Sequence, residues 1–382
     1  MPKPSESGTL WEFIRYFLRL GTFGFGGPIV LAGHMQRDLV DEKKWITKDD
    51  YVEGLALAQL APGPLAAQLA IYLGWVKAGV LGATLVGIAF ILPSFLIVLG
   101  ISALYIRYEG LSWIQGVFYG VGAAVIAVIV QSAVKLVKRT FAKDKLLWAL
   151  GLLSAGITVI TESELLWVFL LSGVVAVVVR SFPPKAQGSL SVWVLPAWLV
   201  TGLHGETGTD TWSRVFLYFA KAGAFVFGSG LAIVPFLHGG VVQEHHWLTE
   251  RQFIDAVAVA MITPGPVVIT VAFIGYLVAG PLGAALAALG VFLPCYLLVV
   301  FPAPYYRRFA KNKQIKSFVD GVTAAAIGAI VGAAVVLGKR AIVDIPTAVL
   351  CLSTLVLLVK AKNIPEPLLI LGAGVAGFLL RH

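Results

Sequence analysis

The chain has 382 residues, 58% of them hydrophobic and 13% charged, with a mean hydropathy of +0.88. That balance excludes an ordinary soluble domain and is the balance of an integral membrane protein. The formal charge of +9 does not point to nucleic acid, because the Lys and Arg residues sit in short loops between apolar runs, the pattern that orients a chain in a bilayer.

The first eight residues are polar, include Pro2 and Pro4, and lack a basic lead into a short apolar core, so no cleaved signal is read there. An amphipathic stretch with Arg15 and Arg19 follows and ends in Gly21-Thr22-Phe23-Gly24-Phe25-Gly26-Gly27-Pro28. Glycines closing on a proline predict a helix break. Beyond a charged loop over 37–50, a short segment bearing Glu53 leads into Gln59-Leu60-Ala61-Pro62-Gly63-Pro64. Pro62 has no N–H to donate and Pro64 suits the first turn of a new helix, so one helix stops here and another starts. Apolar helices are predicted over 79–106, with Pro93 inside, and over 116–134, which runs into the basic cluster Lys135, Lys138, Arg139, Lys143 and Lys145. Three short apolar segments, one of them at 165–179, make a connector over 146–212, and a late helix is predicted over 345–359.

The pattern then returns. Gly21, Phe23, Phe25, Gly26, Trp45 and Pro62-Gly63-Pro64 correspond, 202 residues on, to Gly223, Phe225, Phe227, Gly228, Trp247 and Pro264-Gly265-Pro266. After one residue is lost, Gly74, Gly79 and Pro93 pair with Gly275, Gly280 and Pro294 at a spacing of 201. Breaks repeated in step argue for duplication. Loop charge predicts how the halves are oriented. Lys43, Lys44 and Lys48 crowd the first loop of half one, whereas Glu244, His245, His246 and Glu250 occupy its counterpart. The later loop reverses the bias, with Arg307, Arg308, Lys311, Lys313 and Lys316 in half two. Basic loops stay in the cytoplasm, so the halves are expected upside down to one another.

The expected fold is therefore all-α, a polytopic membrane protein of two inverted repeats with re-entrant or broken helices at 23–28, 62–64, 225–230 and 264–266. The expected organisation is a first repeat at 10–145, the connector at 146–212, a second repeat at 213–340 and C-terminal spans at 341–382. About nine crossings follow, or about thirteen if hairpins count as spans. The chain is expected in the plasma membrane, with its N-terminus cytoplasmic and its C-terminus outside.

A broken helix at membrane depth frees backbone N–H groups that lipid cannot satisfy, and a helix N-terminus favours an anion. Gly26, Gly27, Pro28, Pro62, Gly63, Pro64, Gly228, Ser229, Gly230, Pro264, Gly265 and Pro266 are the candidate anion site, with Gln68 and its register partner Thr270 as further donors. Arg19 matches Lys221 just before the first break of each half, and Glu53 matches Asp255 before each Pro-Gly-Pro. The cations would draw an anion; the carboxylates would hold those cations or carry a proton, with interfacial salt bridges as the plainer reading. Small residues also let helices pack closely, which is the plain reading of any single glycine. Cys295 and Cys351 read as buried thiols. His34, His238, His245 and His246 lack partners at ligand spacing, so neither a metal nor another cofactor is expected. No nucleotide-binding glycine loop is present, so nothing in the chain would hydrolyse ATP.

With these motifs, the sequence resembles the chromate ion transporter family in its two-domain form. The resemblance rests on Phe25-Gly26-Gly27-Pro28, Trp45-Ile46-Thr47, Tyr51-Val52-Glu53, Gln59 through Pro64 and Pro93-Ser94, with a weaker set in half two, where Ser229-Gly230 replaces Gly27-Pro28. It implies movement of chromate, a sulfate-shaped dianion, usually outward, with resistance as the result. Sulfate is the alternative substrate and a passive channel the alternative mode. The rival from another class is a lipid-phosphate phosphatase, for which Ser229, Glu53 and Asp255 would have to supply the acid or nucleophile. An oxyanion and membrane lipids are the expected partners, nucleic acid is not, and pairing as a homodimer is left open.

Overall fold

The computed structural model describes residues 8–25, 27–108, 112–142, 144–162, 166–181, 211–225, 230, 233–305, 312–361 and 364–381. They form fourteen α-helices, and no strand occurs among them. In chain order these are α1 (Leu10–Phe23), α2 (Gly27–Met35), α3 (Lys48–Leu60), α4 (Leu65–Tyr108), α5 (Ser112–Thr140), α6 (Lys145–Thr161) and α7 (Leu166–Ser181). Then follow α8 (Thr211–Phe225), α9 (Ile233–Leu237), α10 (Glu250–Ile262), α11 (Thr270–Val300), α12 (Lys313–Ala341), α13 (Ile345–Lys360) and α14 (Glu366–Arg381).

Local chemistry sets the boundaries. Thr9 caps α1 by accepting from the Glu12 amide while Glu12 reaches back to the Thr9 N–H, and α1 buries Phe13, Phe17 and Leu20 on one face. The charged loops expected at 37–50 and 239–251 are more helical than their composition suggests. Each begins as one π-helical turn, Gln36–Glu42 and His238–Glu244, and each closes through a left-handed residue, Lys44 at φ 53° and His246 at φ 51°. The turns persist because the following amides bond back: Trp45 N–H to Leu39 O and Trp247 N–H to Val241 O, both 2.8 Å. Thr47 and Thr249 then cap α3 and α10.

α3 and the start of α4 fold back on each other about Gly63, since Gly54 packs directly on the Tyr72 ring, nine residues to either side. α4 itself reverses at Ala78 and Gly79 (φ 58°), where Gly74 and Gly82 face each other across bare backbone. α11 repeats this at Ala279 and Gly280 (φ 67°), with Gly275 against Gly283. Four helical stretches are long and apolar enough to cross a bilayer: Leu65–Tyr108, Trp113–Thr140, Val267–Tyr305 and Lys313–Ala341. The molecule is an all-α polytopic membrane protein. α12 lies at its centre, with Gly321 and Gly328 set against the backbone of α7 and α6, the close approach that small residues allow. The helices expected over 79–106, 116–134, 165–179 and 345–359 correspond to the second arm of α4 and to α5, α7 and α13. The last segment of the connector, within 182–210, lies outside the described residues.

Candidate functional site

Both Pro-Gly-Pro motifs interrupt helices. α3 ends at Leu60 and α4 starts at Leu65; α10 ends at Ile262 and a 3-10 turn, Val267–Ile269, precedes α11. The first glycine-rich break separates α1 from α2, and Gly27 in it has φ 77°. Gly26, Gly228 and Ser229 lie outside the described residues.

The breaks are knit to each other across the two halves. The Gly265 N–H donates to Gly24 O at 2.9 Å, joining the second Pro-Gly-Pro to the first glycine break. Ser94 Oγ donates to Gly21 O at 3.3 Å and stands where a Cβ on Gly265 would fall. The register partner of Ser94 is Cys295, 201 residues on. Its thiol faces Gly223 O at 3.5 Å and Val291 O at 3.1 Å, and stands 2.9 Å from where a Cβ on Gly63 would fall. Each half therefore presses the residue after its mid-helix proline onto the Pro-Gly-Pro glycine of the other half. Gly230 completes the set beside Val267 and Val268. Gly63 and Gly265 hold φ of 142° and 92°, so a side chain there meets both a crowded space and an unfavourable backbone.

A cavity of about 770 Å³ lies at this crossing. Gly24, Gly27, Pro28, Gln59, Thr263 and Gly265 line its wall, and Lys135, Arg139, Lys316, Asp320 and Glu366 line it as well. Of these cations, Lys135 reaches Gln131 Oε1 at 3.0 Å and Glu366 at 4.0 Å. Arg139 and Lys316 have no side-chain partner among the described residues. Beside them Arg180 bridges Asp320, at 2.7 Å, and Asp144. Burial would raise the Asp144 carboxyl, but the Leu147 and Leu146 amides and the Arg180 guanidinium outweigh it and hold it below the usual carboxylate range.

A second charged group holds other loops together. Arg340, at the end of α12, pairs with Glu162 and Glu250, and its guanidinium lies 3.2 Å from His238 Nε2, which itself meets Glu250 at 2.8 Å. Burial, and then the Arg340 charge, push the His238 imidazole down to about 4. Nearby, Tyr119 donates to Asp344 at 2.6 Å and Arg381 lies over the Tyr119 ring. A smaller cavity of about 240 Å³ includes Tyr119, Glu250, Asp255, Arg340 and Arg381 in its lining.

The remaining sequence candidates separate. Pro64, Pro264 and Pro266 are buried and Pro62 is half-buried, but none lines the larger cavity. Arg19 and Lys221 are exposed on α1 and α8 and stand apart from it. Glu53 is half-buried, whereas Asp255 is buried and accepts from Tyr105 Oη at 2.7 Å. Gln68 is buried, and its amide donates to Pro62 O at 2.6 Å rather than standing free; Thr270 spends its hydroxyl on Val267 O at 2.7 Å. Sequence reasoning missed the Ser94 and Cys295 contacts, although the repeat register already paired those two positions. It also missed the gathering of Lys135, Arg139 and Lys316 on one cavity, which their assignment to one membrane side could have suggested.

The chromate transporter family model matches residues 11–177 and 213–378. The chain is 60% identical to a chromate transport protein of Cupriavidus metallidurans, over 98% of this chain and 95% of that one. It is 53% identical to a probable chromate transport protein of Synechococcus elongatus, over 97% and 95%, and 32% identical to a chromate transport protein of Pseudomonas aeruginosa, over 95% and 91%. No solved structure matches it.

Proposed function

The chain belongs to the chromate transporter family, and on that premise we propose that it carries chromate outward across the plasma membrane as a secondary transporter, conferring chromate resistance. The observation that carries this reading is the crossing of the breaks, where Gly265 N–H meets Gly24 O on the wall of a cavity large enough for a tetrahedral oxyanion. There the free amides of interrupted helices offer donors and partial positive charge in a place shielded from lipid. The substrate sits against Gly24, Gly27, Pro28 and Gly265 on that wall, while Arg19 and Lys221 act at a distance through their charge.

The halves are inverted repeats in this reading, with the connector at 146–212 and C-terminal spans from 341. Charge placement supports it. Lys135, Arg139 and Lys316, which stand in the basic stretches that the sequence reading keeps in the cytoplasm, line one cavity, and Arg180 bridges Asp320 on its wall. Glu250, from the acidic loop that the inversion puts on the opposite side, meets Arg340 together with Glu162. The cavity is then a vestibule open to the cytoplasm, and the Arg340 cluster closes the opposite end. Alternating access moves one half against the other about the crossing, opening the Arg340 cluster as the vestibule shuts. The test is chromate release from sealed proteoliposomes holding the purified chain. Release above that from empty liposomes supports the reading, and none would sink it; phosphate liberated from a lipid phosphate would instead favour a membrane enzyme.

A further inference from the structure

A buried polar atom in a membrane protein is costly unless it is bonded. Among the described residues, one buried side-chain atom lacks any partner: Gln68 Oε1. Gln68 stands in the first turn of α4, just past the Pro-Gly-Pro break, and is wholly buried. Its orientation is fixed, because Nε2 donates to Pro62 O at 2.6 Å and the flipped amide would set two oxygens against each other. The carboxamide lies against Gly63, and Cys295 Sγ crowds the same side of that glycine, 2.9 Å from where its Cβ would fall. The thiol is spent on Val291 O at 3.1 Å, so it leaves the Gln68 oxygen unserved. Thr270, the register partner, has done the same with its own donor, which goes to Val267 O, and keeps oxygen lone pairs. Both halves thus present an acceptor where the helix N-terminus alone would invite a bare anion.

An oxygen acceptor repels a fully deprotonated oxyanion and welcomes one that carries an O–H. We propose that the Pro62-Gly63-Pro64 break takes its oxyanion in the singly protonated form, donating the anion's hydroxyl to Gln68 Oε1 while its other oxygens face the amides opening α4. This rests on the transport reading and gives it a basis for specificity. Chromate keeps one proton near neutrality, whereas sulfate and selenate, of the same shape and charge, give theirs up in the acid range. The proton comes from solution with the anion and leaves with it, so the protein supplies no base. Cys295 is the titratable group in contact with this break, and Glu53 and Asp255 stand nine residues before Pro62 and Pro264. Asp255 is already bonded to Tyr105.

The test compares chromate with selenate in proteoliposomes of the full chain, at equal pH on both sides. Chromate flux should fall about tenfold for each pH unit above the anion's own pKa, and selenate flux at neutral pH should be slower by roughly a thousandfold or more. Gln68→Met should bring the two anions to within a fewfold of each other. Chromate flux that stays level while its protonated fraction falls, or wild-type selenate flux equal to that of chromate, would overturn the proposal and leave the oxygen to an ordered water. A pH midpoint shared by both anions would overturn it too, by locating the titration on the protein. These wild-type arms decide the matter even if Gln68→Met fails to fold. Absence of chromate flux at every pH would instead defeat the transport reading itself.

Discussion

The two halves share their backbone devices and differ in the side chains placed inside them. Lys44 and His246, Gly79 and Gly280, and the Thr47 and Thr249 caps repeat with nearly the same dihedral angles or bonds. At the crossing, by contrast, half one offers Gln68 and Ser94 where half two offers Thr270 and Cys295, and on the helices leading in Glu53 is half-buried where Asp255 is buried. Half one enters α4 directly after Pro64, while half two inserts the 3-10 turn Val267–Ile269. Chain geometry is therefore set by features that tolerate duplication, turns and caps that need only one residue type. The chemistry of the anion site is set by side chains that do not match, so a ligand at the crossing meets two unlike faces.

The sharpest way to break that comparison is at the two glycines. Gly265→Ala places a methyl on Ser94 Oγ at a backbone angle of 92°, and Gly63→Ala places one on the Gln68 amide and Cys295 Sγ at 142°. Strained φ costs about 1–2 kcal/mol and overpacking about 1–3 kcal/mol, so each variant should lose flux by tenfold or more per molecule inserted. Rescue separates the halves. Ser94→Ala removes the offending hydroxyl and should restore much of the flux of Gly265→Ala. Cys295→Ala leaves the Gln68 amide in the way and should restore little of Gly63→Ala. Equal rescue in chromate release assays would mean that the two faces are alike after all.

Next in size is the vestibule. Neutralising Lys135, Arg139 and Lys316 together, each to Gln, should slow chromate release from the basic side severalfold at low ionic strength and flatten its dependence on salt. Release should converge with the unaltered chain at high salt. A deficit that persists at high salt would place these cations in the binding site itself rather than at its approach.

What the sequence made legible follows the same division. The breaks and the register of 202 and then 201 residues depend on residue types with one physical consequence each, and they could be read without coordinates. Glycine and proline grouped together announce a break. The reversals at Gly79 and Gly280 were visible as matched glycines, but that the helix doubles back there needed the facing of Gly74 and Gly82. The helical texture of the charged loops was not legible, because π-helical turns are fixed by amides of residues further on rather than by local propensity. Hardest to read was which half touches which. Ser94 meeting Gly265, and Tyr105 meeting Asp255, are contacts across more than a hundred residues between side chains with no distinctive sequence signal.

A smaller effect lies at the Arg340 cluster. The His238 imidazole is held at about 4, below its ordinary value of about 6.5. Between those two pH values the unfolded chain binds more protons than the folded one, so stability falls as pH drops through that window and is unaffected above it. Thermal unfolding in detergent at about pH 7.5 and about pH 5 should show the loss, and His238→Gln should reduce it. Half one adds no such dependence at the register position 202 residues earlier, where Gln36 stands and does not titrate.

The smallest change is expected from a pair of exposed cations that the halves share. Arg19 and Lys221 occupy the same register, 202 residues apart, just before the first break of each half. Both are exposed and neither lines the cavity, so each influences an anion only through its field, screened over about 10 Å at moderate salt. Arg19→Gln and Lys221→Gln should therefore lower chromate release by less than about threefold each, and by similar factors, because a distant charge is indifferent to the side chains that make the two breaks unlike. A tenfold loss from one and none from the other would show that the asymmetry of the crossing extends outward to the helices that lead into it.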